Sequence, residues 1–190
     1  MISFPWHPEP MVTERLIIRA HTMDDLDDLL EFHSDPEVVR YLPWPVRNRI
    51  LTFEALEQKL PRARVIEEGG WLVLALELRE TGRVIGEVLL KCESIERGEG
   101  EIGFAVHAEH QRLGIGFEAA SAILRLAFDE YGLRRVTARL VADNLASAAL
   151  LEKLRMRREA HYVQSELFKG EWVDLYAYGM LATEYHEGSA

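Results

Sequence analysis

The chain has 190 residues, 48% hydrophobic and 28% charged, with a formal net charge of −10. That length suits one domain with a real core, and the composition is that of an ordinary globular chain. The acidic balance argues against non-specific nucleic-acid binding and fits a cationic substrate such as an amine; one cysteine, Cys92, rules out an internal disulfide framework.

Taken in chain order, "TERLIIRAH" predicts a short first strand. Thr22 then caps a helix over "MDDLDDLLEFH", whose Asp24 and Asp25 suit the positive end of the dipole. "DPEVVRYLPWPV" is a connector broken by three prolines, and "NRILTFEALEQKL" predicts a second helix ending near Pro61. "WLVLALELRE", "TGRVIGEVLLKCE" and "GEIGFAVH" follow as three strands, the first two joined by a tight turn at Glu80–Arg83. Cys92, inside the second of them, is expected to be a buried, inert thiol rather than a nucleophile. In "FEAASAILRLAFDEYG", Ala120, Ile123, Leu124, Ala127 and Tyr131 fall at helical spacing. Glu118, Ser121, Arg125 and Asp129 fall opposite, and Gly132 stops the helix. "RRVTARLVA" is a strand, "NLASAALLEKLRM" a helix, and "EAHYVQSELFKGEWVDLYAYGMLA" a hairpin turning at Lys169-Gly170.

This order predicts an α/β fold of about seven strands, mixed but mostly antiparallel, with helices on both faces. The strands on either side of the central helix should pair in parallel, because a crossover joins them. One domain over 1–190 is expected, with tails at 1–12 and 183–190. No basic and apolar leader opens the chain, and no apolar run reaches about 18 residues. With the lone thiol, this predicts a cytoplasmic protein that crosses no membrane.

The segment "HQRLGIGFEAA", His110–Ala120, puts two glycines directly before a helix. A helix start exposes unpaired N–H groups, glycines let a phosphate approach the backbone, and Arg112 adds charge. The pattern therefore predicts a diphosphate cradle. Gly114-Ile-Gly116-Phe-Glu-Ala119 also satisfies G-x-G-x-x-A, but a dinucleotide fold needs a buried strand running straight into the first glycine, and "HAEHQRL" intervenes. A P-loop fails because Phe117 follows Gly116.

Q-x-x-G-x-G between a strand and a long helix resembles motif A of the GCN5-related N-acetyltransferases (GNAT). The wider layout resembles their ribosomal-protein N-terminal acetyltransferase (RimJ/RimL-like) subfamily. "TERLIIR" (Thr13–Arg19), "GEIGFAV" (Gly100–Val106), "FEAA", "NLASAALLEKL" (Asn144–Leu154) and "WVDLYAYGML" each resemble a segment of that subfamily, in its order. The resemblance implies two central parallel strands that splay apart around acetyl-CoA. It implies pyrophosphate binding by the amides around Gln111, Arg112, Leu113, Gly114, Ile115, Gly116 and Phe117, contact of Asn144 with the pantetheine arm, and Ser147 near the sulfur. The loop "YLPWPV" (Tyr41–Val46) resembles the one over the family's acceptor site, where an aromatic could close on substrate, and an ordinary core plug suits it equally. The sequence departs from the family at Arg155-Met156, where Gly-Phe is usual, and at Leu151, where many relatives carry a thiolate-protonating tyrosine.

Acyl transfer to an amine needs a base and donors for the developing oxyanion. In "GEIGFAVH", Ile102, Phe104 and Val106 form one face and Glu101, Gly103, Ala105 and His107 the other. Gly103 and Ala105 leave space, with Glu101 at its edge as the expected base, Glu87 as the rival, and Ser147 as the remaining side-chain acid. His107 and His110 are three apart with no cysteine near, so loop roles and no metal are expected. Asn144, three residues before Ser147, equally suits a plain N-cap. The expected activity is acetyl-CoA-dependent acetylation of a primary amine, on a protein N-terminus or a small molecule, with room for a homodimer. An inert acyl-CoA-binding module and, further off, a dinucleotide-dependent oxidoreductase are the alternatives.

Overall fold

A computed structural model describes residues 5, 7–65 and 67–188. Its centre is one sheet of eight strands in the order β1-β2-β3-β4-β5-β6-β8-β7. The strands are β1 (Met11–Val12), β2 (Leu16–Ala20), β3 (Trp71–Leu78), β4 (Val84–Ser94), β5 (Glu99–Val106), β6 (Arg135–Val141), β7 (Arg157–Phe168) and β8 (Glu171–Leu181). Every neighbouring pair is antiparallel except β5 and β6. The seven expected strands are present. The eighth, β1, is two residues long, too short to carry an alternation pattern, and pairs with β2 inside the stretch read as a tail.

The helices are α1 (Leu26–Ser34), α2 (Pro36–Val39), α3 (Arg49–Lys59), α4 (Ile115–Arg125), α5 (Leu145–Lys153) and α6 (Ala182–Gly188). Thr22 starts a short 3₁₀ turn that runs into α1: Asp25 accepts from the Thr22 N–H at 2.9 Å, as in a capping box. Asn48 caps α3, its side chain accepting from Leu51 N–H at 3.0 Å. The connector holds one feature the prolines concealed, the single turn α2, with Pro36 at its start and Asp35 capping it. Helix α6 occupies the other stretch read as a tail. No helix among the described residues is long and apolar enough to cross a membrane.

The β5–α4–β6 crossover places α4 on one face of the sheet. Ala119, Ala120, Ile123 and Leu124 are buried there against Ile102 of β5, Val136 of β6 and Leu90 and Cys92 of β4. The helix continues as a π turn over Leu126–Glu130 and stops at Gly132, whose φ of +65° lies in the left-handed region. On the opposite face α1 and α3 bury Leu29, Phe32 and Leu56, with Ala105 of β5 packed against them. Cys92 lies wholly inside, and burial pushes its thiol up to about 11, consistent with an inert core residue.

Glu118, on the polar side of α4, is engaged by the residues leading into β2. Its carboxylate accepts from Thr13 Oγ1 at 2.5 Å, Arg15 N–H at 2.8 Å and Arg15 Nε at 2.8 Å. The "TER" at the start of β2 is thereby clasped to the first turn of α4. Burial opposes ionisation of Glu118, but these bonds outweigh it and hold its carboxyl below the usual 4.5. The stabilisation is therefore present above the unfolded value and lost as pH falls through the lower folded one. Glu118→Gln should cost about 1–3 kcal/mol at pH 7. In denaturant titrations the gap between parent and variant should shrink steadily below the unfolded carboxyl value; a gap that is constant with pH would show that the charge contributes nothing.

Candidate functional site

The parallel ladder between β5 and β6 consists of three pairs, Glu99–Arg135, Gly100–Val136 and Glu101–Thr137, and then ends. Both strands continue, β5 to Val106 and β6 to Val141, each paired only on its outer side. A wedge therefore opens between them. Arg135 N–H bonds the Gly98 carbonyl at 3.1 Å, which sets the phase: even-numbered residues of β5 turn their N–H and C=O groups toward β6. Past the last pair, the N–H of Phe104 faces the wedge with no strand to receive it. The Val106 carbonyl, also on that side, accepts from Gln111 Nε2 at 2.9 Å.

At the mouth of the wedge a 3₁₀ turn (Ala108–His110) leads into the loop Gln111–Gly114. His107 and His110 belong to this turn, His107 Nδ1 accepting from Glu109 N–H at 3.4 Å. Arg112 (φ +59°) and Gly114 (φ +83°) are both left-handed. Left-handed residues next to ordinary ones curl successive N–H groups into a concave nest for an anion. The first helical bond of α4 runs from Glu118 N–H to the Gly114 carbonyl, so Ile115, Gly116 and Phe117 keep N–H groups without a partner in the helix. Arg112, Leu113 and Gly114 are exposed and Ile115 is buried. Arg15 braces the loop from behind, its Nη1 donating to the Leu113 carbonyl at 2.7 Å. A Cβ at Gly116 would meet Leu150 Cδ1 on α5 at 2.8 Å. Gly116 thus lets α4 and α5 close on each other. Because β5 ends at Val106, well short of Gly114, the strand does not enter the first glycine as a dinucleotide fold requires.

Across the wedge, Asn144 is the N-cap of α5: its side-chain oxygen accepts from Ser147 N–H at 3.1 Å. Its amide NH₂ remains available as a donor. Ser147 sits half-buried on the first turn, while Leu151, one turn on, is buried and apolar. Arg155 follows α5 with φ +65°. This is the left-handed C′ conformation that suits glycine, which explains the residue usual there; Met156 is buried in place of the aromatic ring. Lys153, which sequence reasoning passed over, lies with its Nζ 4.5 Å from the centre of the Phe117 ring. With Arg155 and Tyr185 it borders a cleft of about 260 Å³ between α4, the end of α5 and α6.

The two carboxylates separate clearly. Glu101 sits at the last pair of the ladder, half-buried. Burial raises its pKa, Arg139 pulls it back, Glu93 raises it further and Lys91 lowers it; the net shift is upward. Glu87, opposite Ala105 on β4, is 2% exposed and ion-paired to Lys59. Burial opposes its charge, but Lys59 and His21 outweigh that and hold it ionised. As a base it is already engaged. The space expected over Gly103 is also taken, since a Cβ there would lie 2.9 Å from Leu89 Cδ1. Among the described residues no group of three His, Cys, Asp or Glu side chains is placed to hold a metal ion.

Comparison with known proteins agrees with this geometry. The model of the acetyltransferase (GNAT) domain family matches residues 15–157. The uncharacterized N-acetyltransferase p20 of Bacillus licheniformis is 29% identical over 181 residues, covering 93% of this chain and 98% of that one. Among solved structures, a GNAT-family acetyltransferase from Bacillus anthracis superposes with a TM-score of 0.82 at 26% identity, covering 93% and 100% of the two chains. The spermidine N-acetyltransferase of Vibrio cholerae, solved with CoA and spermine, shares the fold with a TM-score of 0.76 at 18% identity over 92% and 99%. A sheet that parts after three parallel pairs, an anion-ready loop before the crossover helix, and a family match over three quarters of the sequence lead to one assignment: the chain belongs to the GNAT acetyltransferase family.

Proposed function

We propose that this enzyme transfers the acetyl group of acetyl-CoA to a primary amine. The observation that carries the reading is the junction of the β5–β6 wedge with the nest at Arg112–Gly114 and the unpaired N–H groups of Ile115, Gly116 and Phe117. That junction suits a molecule with a diphosphate at one end and a slender arm at the other. Gln111 to Phe117 would hold the pyrophosphate, with the Arg112 guanidinium, which has no ion pair or hydrogen bond among the described residues, supplying charge. The free NH₂ of Asn144 would donate to the pantetheine arm, and the Phe104 N–H to the thioester carbonyl oxygen, where negative charge grows during attack. Acetyl-CoA supplies the activated acyl group. The acceptor enters from the α1–α3 side, and its ammonium proton passes to Glu101 directly or through one water. With Leu151 apolar, the Ser147 hydroxyl is the side chain left to assist the departing thiolate.

An inert acyl-CoA binder would offer the same loop but release no thiol. Incubating the protein with acetyl-CoA and a panel of amines, and following free CoA thiol, separates the two. Amine-dependent thiol release is expected; tight CoA binding with none would leave the binding module.

A further inference from the structure

On the acceptor side, buried polar groups gather without partners. His33 on α1 is fully buried and neither ring nitrogen has a hydrogen bond. Thr52 on α3 is fully buried with an unsatisfied hydroxyl, and the buried indole N–H of Trp44 has no acceptor. An indole nitrogen can only donate, and leaving it unpaired in the interior is costly. The groups converge. The rings of His33 and Trp44 meet edge-on with centres 5.7 Å apart. The Arg47 guanidinium lies 4.6 Å from the centre of the Trp44 ring, and Arg47 N–H bonds the His33 carbonyl at 3.0 Å.

The charges are unbalanced. Lys59 is matched by Glu87, and His21 stands between Asp25 and Glu87 at 3.4 and 3.8 Å. Arg47 is half-buried yet has no ion pair and no side-chain hydrogen bond among the described residues. Burial lowers its pKa and the charge of Glu87 offsets this only in part. Burial and Lys59 likewise bring His33 down to about 3, keeping it neutral, one nitrogen donating and one accepting. The surplus is therefore of hydrogen-bond donors, the Arg47 guanidinium and the Trp44 indole first among them, and what would satisfy it is a compact oxyanion.

The place is next to the wedge. Leu42, at the start of this loop, packs in the same apolar cluster as Ala105 of β5. Tyr41 OH donates to the Asp143 carbonyl at 3.2 Å, beside Asn144 on the far side of the opening. Lys169, at the β7–β8 turn, donates to the Val39 carbonyl at 2.6 Å and closes the surround.

We propose that Arg47 and Trp44, backed by His33, form a binding site for a carboxylate of the acceptor, so that the preferred substrate is an amine that also carries a carboxylate. This rests on the amine-acetylating reading and narrows it. The carboxylate belongs to a free amino acid or to an acidic residue beside a peptide N-terminus. Arg47 and Trp44 donate to its oxygens while the amine reaches the end of the wedge. These residues position and select; they move no proton.

The test compares kcat/KM for L-leucine with L-leucinamide, and for a Ser-Glu-Ala-Ala peptide amide with its Ser-Gln-Ala-Ala counterpart, with 1,4-diaminobutane as the cation-only amine. In at least one pair the acid should be favoured by about tenfold or more, since a site left with unpaired donors rejects the neutral analogue; the pair that responds identifies the source. Arg47→Gln should bring that ratio close to one. Trp44→Phe, which keeps the ring and removes the N–H, should reduce the ratio and covers the case in which Arg47→Gln fails to fold. Ratios near one in the parent, a preference for the diamine, or a ratio unmoved in both variants would overturn the proposal. If no amine is acetylated, the function reading fails separately. Calorimetric titration with N-acetyl-L-leucine then still reads the site: binding weakened by Arg47→Gln upholds it, and no binding to the parent overturns it.

Discussion

Glu101→Gln is expected to lower turnover by about 10²–10⁴-fold, the usual range for a lost general base, while CoA affinity stays nearly unchanged. An ordinary aliphatic amine, with a pKa of about 10.4, is almost wholly protonated at neutral pH and must lose that proton to attack. Glu101 stands where the β5–β6 ladder ends, on the same strand as the Phe104 N–H that faces the wedge. Its pKa is raised, chiefly by burial and partly offset by Arg139, so it accepts a proton more readily than a surface glutamate. In the parent, activity should fall as pH drops through this raised value. The glutamine variant should lack that acid limb and recover in part as pH rises and free amine accumulates. Glu87, the rival, is buried and ion-paired to Lys59, so Glu87→Gln should disturb stability before it disturbs a proton-transfer step. A Glu101→Gln enzyme that matches the parent from about pH 6 to 9 would leave a water molecule as the base.

Gly116→Asp is expected to weaken CoA binding by about a hundredfold or more, roughly 2.7 kcal/mol, in a protein that still folds. The new Cβ would come within 2.8 Å of Leu150 Cδ1 and 3.9 Å of Val106 Cγ2, and the carboxylate is expected to turn from these apolar neighbours toward the helix start. There it places a negative charge beside the N–H groups of Ile115, Gly116 and Phe117, in competition with a diphosphate for the same donors. Gly116→Ala separates the two effects. It adds only the methyl, against the flexible end of a leucine, and alanine favours the helix, so its affinity loss should stay within about tenfold, or 1.4 kcal/mol. Equal losses in both variants would mean that helix–helix spacing, not charge, governs the site; calorimetry with CoA on both proteins reads the difference.

Much of this was legible in the sequence because it is local. The helix at Ile115–Arg125, the cap at Asn144 and the alternation in Glu99–Val106 each follow from the spacing of neighbours. The parallel pair was readable because a long helix between two strands forces a crossover. What escaped depends on distant partners. Glu118 looks like any surface glutamate until β2 brings Thr13 and Arg15 to it. The space at Gly103 is filled by Leu89 from the neighbouring strand, a register no composition reveals. Glu87 and Lys59 find each other across the α3–sheet interface, a pairing that no spacing in the sequence indicates. Arg47 and Trp44 lie in a proline-broken loop, where no periodicity indicates which way a side chain turns.

The three-pair seam between β5 and β6 has a mechanical consequence. An eight-stranded sheet would ordinarily open as one cooperative unit, but here β1 to β5 and β6 to β8 form two plates joined by three residue pairs and strapped by α4. Their relative tilt is a soft coordinate of the sheet, because changing it breaks no ladder beyond those pairs. Anything lying in the wedge and bonding to both plates, at Phe104 on one and Asn144 on the other, becomes the missing rung and stiffens that coordinate. The enzyme should therefore be most rigid when loaded and loosen as product leaves, with amide hydrogen exchange slowing on loading along the inner edges of β5 and β6 and little elsewhere.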